Sequence, residues 1–81
     1  MRPDDAKLTR RVRSEIIRRE LDTSRLEVKV IHGVAYLGGE LKAVRGNKIA
    51  DWKKEMEIIE NVVLRLAGIR GLDNRIKWVT L

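Results

Sequence analysis

The 81-residue chain carries 18 Lys and Arg against 12 Asp and Glu, a net charge of +6, and 43% of its residues are hydrophobic. That length holds one small domain, residues 1–81, with a modest core and excludes a second; the absence of Cys excludes disulfides and thiolate metal sites. Short apolar runs exclude a membrane span, and the basic balance favours an anionic partner, whether nucleic acid, acidic lipid headgroups or an acidic protein.

Met1 to Asp5 precede no apolar run of the kind an export signal needs. As written the chain reads as cytoplasmic, or as periplasmic if a leader preceded Met1. Asp4 and Asp5 follow Pro3 where an N-cap and a first-turn acid belong, and Leu8, Val12 and Ile16 recur along one face, which predicts a helix from about Asp4 to Leu21. Leu8, Val12 and Ile16 form its core side, flanked by Glu15 and Arg19. The far side gathers Lys7, Arg10, Arg11, Ser14, Ile17 and Arg18, a basic face with one apolar residue in it. Asp22, Thr23 and Ser24 are turn formers and close the helix.

From Leu26 to Leu41 the chain alternates. Leu26, Val28 and Val30 are separated by Glu27 and Lys29, the period of a half-buried strand, and His32 with Gly33 supplies a two-residue hairpin loop. This register sets Val30 opposite Ala35, Val28 opposite Leu37 and Leu26 opposite Gly39. The face with Leu26, Val28, Val30, Ala35, Leu37 and Leu41 requires a cover, and Gly39 on that side lets a helix approach. The other face, with Glu27, Lys29, Ile31, Val34, Tyr36 and Glu40, suits water or a partner.

After Leu41 the period changes. Ile49, Trp52, Met56, Ile59, Val63 and Leu66 follow helical spacing, predicting an unusually long second helix of about twenty residues that Gly46 and Asn47 begin and Gly68 ends. Such a helix overhangs the sheet. The stripe at Trp52 and Met56 must then be buried either by a second copy of the chain or by the first helix or residues 42–45 folding back. Gly68 and Gly71 bracket a short connection, and Leu72 to Leu81 alternates again as a third strand. The expected fold is α+β in the order αββαβ, a three-stranded mixed sheet with two helices on one face.

Catalysis has no foothold: His32 is the single His, and Ser14 and Ser24 have no base beside them. Glu55, Glu57 and Glu60 lie among Lys53 and Lys54 as a solvated helix face. Gly68 to Gly71 also reads as the GxxG loop of K-homology domains, but the strand pattern after it does not continue as a helix. No catalytic residue, metal ligand or cofactor is assigned.

Three patterns, in order, resemble the BON domain, the module first described in bacterial osmotic-shock and nodulation proteins. They are the opening helix with Asp5, Leu8, Val12 and Ile16; the hairpin with Val28, Val30, Gly33, Val34, Leu37, Gly39 and Leu41; and Gly68, Ile69, Leu72 and Asn74 before the last strand. The resemblance implies the αββαβ fold and a non-catalytic role in binding phospholipid or membrane-associated partners. It makes Gly33, Gly39, Gly68 and Gly71 structural turn positions. The stretch from Gly39 to Gly68 is longer than the family pattern, and family members are usually exported. Lys7, Arg10, Arg11 and Arg18 are thus the candidate contacts to an anionic phospholipid surface. The competing readings are a homo-oligomer assembled through Trp52 and Met56, and nonspecific nucleic-acid binding.

Overall fold

The computed structural model describes residues 3–44 and 51–79. In chain order these form α1 (Pro3–Ile17), β1 (Leu21–Asp22), β2 (Leu26–Ile31), β3 (Val34–Ala43), α2 (Trp52–Leu64), β4 (Gly71–Asn74) and β5 (Lys77–Trp78).

The β2–β3 hairpin has the expected register: Val30 pairs with Ala35, Val28 with Leu37 and Leu26 with Gly39. His32 and Gly33 take φ of +51° and +80°, the positive pair that lets a two-residue turn match the twist of its strands. Five strand segments fall into three rows. β2 and β4 both pair with the start of β3, antiparallel and parallel respectively, so they lie on its opposite edges. β5 continues the parallel row in unbroken register, to Trp78 opposite Leu41. β1 continues the antiparallel row, with Leu21 opposite Ala43, after one extra residue in the turn at Thr23 to Arg25. Asp22 shapes that turn by accepting from the Ser24 amide and hydroxyl at 3.0 and 2.7 Å. The Ser24 amide bond, then the hydroxyl, lowers the Asp22 pKa. Any stabilisation from this carboxylate is complete above the ordinary Asp range and is lost as pH falls through the lowered value.

Both helices cover the face predicted to be apolar. Val12 and Ile16 of α1 and Ile59 and Val63 of α2 meet Leu26, Val30, Leu37 and Leu41, with Leu21 and Ile69 closing the sides. Burying each Leu, Ile or Val in this way contributes about 1.5–3 kcal/mol. The free edges are blunted by side chains. On β2, the Thr9 hydroxyl accepts from the Val30 amide at 3.0 Å, and the Arg13 guanidinium donates to the Leu26 carbonyl at 3.4 Å. On the other edge, Asn74 accepts from the Ile76 amide at 3.0 Å and donates to Glu60 of α2 at 3.1 Å.

Four expectations are corrected. The first helix stops at Ile17, and Leu21 is the buried start of β1 rather than its last turn. The second helix is not unusually long: it has 13 residues, begins after Asp51, whose carboxylate accepts from the Lys54 amide at 3.0 Å, and ends at Leu64 before Arg65. The expected starts at Gly46 and Asn47, and Ile49 of the stripe, lie outside the described residues. Gly68 takes φ +94° in the turn beyond the helix, whereas Gly71 opens β4 instead of forming a turn. Finally, Gly39 is not a gap for a helix. It sits at φ +78°, and a Cβ there would collide with the Arg25 carbonyl oxygen of its own hairpin.

Gly39→Ala combines a forbidden φ with that collision and should lower unfolding free energy by about 2–4 kcal/mol. Gly38→Ala, whose Cβ would meet only the Glu27 side chain at 3.5 Å, should stay within about 1 kcal/mol of the parent. Urea unfolding of the two variants makes the comparison.

Candidate anionic interface

The first turn of α1 places Asp5 against the hairpin loop. Its carboxylate oxygens accept from the His32 amide at 3.0 Å and the Gly33 amide at 3.4 Å, and the residue is only 3% exposed. Two amides turned the same way by a positive-φ loop need an acceptor once buried, and a helix that begins beside them supplies it. The loop is also closed from the other side. The Arg70 amide donates to the Gly33 carbonyl at 2.9 Å and its guanidinium to the His32 carbonyl at 2.7 Å. Gly33 has no room for a Cβ, which would lie 2.9 Å from the Gly68 carbonyl oxygen, and one at Gly68 would press on Leu8 at 3.1 Å. The glycine connection once compared with a nucleic-acid clamp therefore packs on the hairpin turn and spends its arginine there. In the sequence Asp5 reads as an N-terminal helix acid and as part of the BON pattern; nothing local announces a partner 27 residues away.

The four cations of α1 and the two that directly follow it, Arg18 and Arg19, divide by role. Arg13 holds the β2 edge. Arg19, just past the helix end, makes a two-pronged bond to Glu55 of α2 at 2.8 and 2.9 Å. Glu55 is therefore buried and structural, which corrects its placement on a solvated face. The Glu55 hydrogen bond, against some desolvation, raises the Arg19 pKa above its ordinary value. Stability from a raised cation is present below its unfolded pKa and lost only as pH rises through the folded one, so the pair stays closed at neutral pH. The remaining four, Lys7, Arg10, Arg11 and Arg18, are all exposed along the outer side of α1. Arg18 makes a loose pair with Glu15 at 3.6 Å, its side chain 75% exposed. Lys7 and Arg11 rim a shallow depression of about 170 Å³ floored by Leu8, Leu66 and Ala67.

Trp52 and Met56 are placed differently from the expectation. Met56 packs against the core of its own chain. Trp52 stacks on Trp78 of β5, ring centroids 6.2 Å apart and planes 9° from parallel. With the helix shortened, no overhanging stripe demands a second copy, and the ring that Trp52 stacks on belongs to β5 rather than to α1; Arg45 of the expected covering segment lies outside the described residues.

No group of His, Cys, Asp and Glu able to hold a metal is found among the described residues. No helix among them is long and apolar enough to cross a membrane. A sheet pinned at a glycine turn, with two helices on one face and an exposed basic side on the first, defines a small α+β domain. The chain belongs to the BON domain family, which matches residues 4–48, from the opening acid pair through the hairpin. This is a family of non-catalytic modules often linked to membranes and to the osmotic-shock response. The Gly68 to Asn74 segment lies beyond the matched span, yet it packs on the matched hairpin turn. No curated protein and no solved structure matches the chain.

Asp5→Ala strips two loop amides of their acceptor and should cost about 2–3 kcal/mol in urea unfolding, with Asp5→Asn intermediate. Arg19→Ala leaves the Glu55 carboxylate without its guanidinium and should cost about 1.5–3 kcal/mol, a range that already allows for the one-third exposure of Arg19. The double variant Arg19→Met with Glu55→Leu should recover most of that loss in the same assay.

Proposed function

We propose that the domain is a peripheral binding module for anionic phospholipid surfaces, acting through the outer side of α1. What supports this reading is the division of labour on that helix. The cations required by the fold, Arg13 and Arg19, turn inward or across to α2, while Lys7, Arg10, Arg11 and Arg18 are exposed and leave the fold's hydrogen bonds untouched. Several such cations within a Debye length of an acidic bilayer attract it, and the attraction is additive and screened by salt. Ile17 is half exposed among them, the one apolar residue on that side. Binding of this kind is weak, reversible and independent of any enclosed ligand pocket.

Co-sedimentation with vesicles tests it. The domain should pellet with phosphatidylserine or phosphatidylglycerol vesicles at about 0.05 M salt and be released near about 0.5 M, where the Debye length falls to a few ångströms. Pure phosphatidylcholine should not retain it. Charge reversal at Arg10, Arg11 and Arg18 together should abolish pelleting while leaving the unfolding midpoint within about 1 kcal/mol of the parent. Equal binding to acidic and zwitterionic vesicles ends the proposal. Tighter binding to single-stranded DNA than to acidic vesicles at matched charge and salt would favour the nucleic-acid reading instead.

A further inference from the structure

The end of the molecule where α1 finishes and α2 begins gathers exposed apolar and basic groups. Arg19 and Glu55 clamp these two helix ends together. Just before the clamp on α1 stand Ile17, 50% exposed, and Arg18. Just before it on α2 stand Trp52, 37% exposed, and the exposed Lys53 and Lys54. Lys53 Nζ lies 5.7 Å from the centre of the Trp52 ring, and the stack on Trp78 holds that ring in place.

Resting on the membrane reading above, and narrowing its contact from the whole outer side of α1 to the end of that helix, we infer that the domain docks by this end, with Trp52 and Ile17 entering the headgroup layer and Arg18, Lys53 and Lys54 at the level of the phosphates. Trp is the side chain best suited to that layer, because its ring is apolar and its N–H is a donor. A ring already fixed by stacking loses little conformational freedom on insertion. Arg18, Lys53 and Lys54 complement acidic headgroups, with the exposed acids Glu20, Asp51 and Glu57 near them in the chain. A second copy of the chain fits this patch poorly. Met56, the next residue of the stripe, is partly buried against its own core, and the edge of one Trp with one Ile falls far short of the about 800 Å² per partner that a stable interface needs.

The end-on pose separates from one in which α1 lies flat. Lys7 stands about 15 Å along α1 from Ile17 at about 1.5 Å per residue, beyond the Debye length of about 10 Å at 0.1 M salt. In the end-on pose it contributes little, whereas in the flat pose it counts as much as Arg18.

The experiment uses acidic vesicles with lipids brominated at shallow or deep acyl positions, and the Trp78→Phe variant, which keeps a ring against Trp52 and leaves Trp52 as the sole tryptophan, excited at a wavelength where Tyr36 does not absorb. The expected result is a blue shift with quenching by the shallow bromines and none by the deep ones. In parallel, Arg18→Gln and Lys53→Gln in the parent chain, which need no change in the ring stack, should each weaken binding about fivefold, and Lys7→Gln less than about twofold. Vesicle binding with unquenched Trp52, and with Lys7→Gln as damaging as Arg18→Gln, overturns end-on docking while leaving the membrane reading intact. No preference for acidic vesicles removes both.

Discussion

The Asp5 carboxylate on the amides of His32 and Gly33 is the contact through which the parts of this domain are fixed to one another. A two-residue turn with both residues at positive φ points its amides out of the hairpin, and with Gly33 buried and the His32 amide partly covered those amides must be met. A carboxylate in the first turn of α1 meets them and thereby sets where the helix starts over the sheet. Thr9, one turn on, and Arg13, one turn further, then fall on the β2 edge. On the opposite side Arg70 closes the same loop, so the connection from α2 to β4 is positioned by the hairpin as well. Glycine at 33 and 68 follows from the closeness of these three segments.

Because the inward side of α1 is committed at Asp5, Thr9 and Arg13, its outer side is left without structural duties. That separation is what makes a binding role compatible with a chain so short. No buried side-chain polar atom among the described residues is left unmatched, and the exposed cations can be recruited by an anionic surface with no rearrangement of the core. The Arg19–Glu55 clamp extends the same logic to the far end, where it ties α1 to α2 and brings the Ile17 and Trp52 side chains to one end of the domain.

The sheet was legible in the residues to a degree the helix ends were not. Strict alternation through Leu26 to Val30 around a His-Gly loop admits one register that buries the apolar face, and that register is observed. The parallel placement of the last strand followed from the intervening helix. The length of α2 is hard to read because apolar spacing continues through Ile49, whereas the start signal is a single carboxylate: Asp51 caps the helix and starts it at Trp52. β1 escaped notice because two residues carry no period. The outward cations of α1 were readable from helical spacing, but the exchange of Glu55 from surface to buried clamp, the stack of Trp52 on Trp78 and the reach of Asp5 to residue 33 all join segments distant in sequence. Only the fold brings them together.

Amide hydrogen exchange followed by NMR tests the central claim most directly. If Asp5 locks the turn, the Gly33 and His32 amides exchange only through unfolding of the whole domain, as slowly as the Val30 amide held by Thr9, although loop amides ordinarily exchange fast. Exchange of those two amides at the rate of an open loop, while the β2–β3 ladder stays protected, would contradict the account.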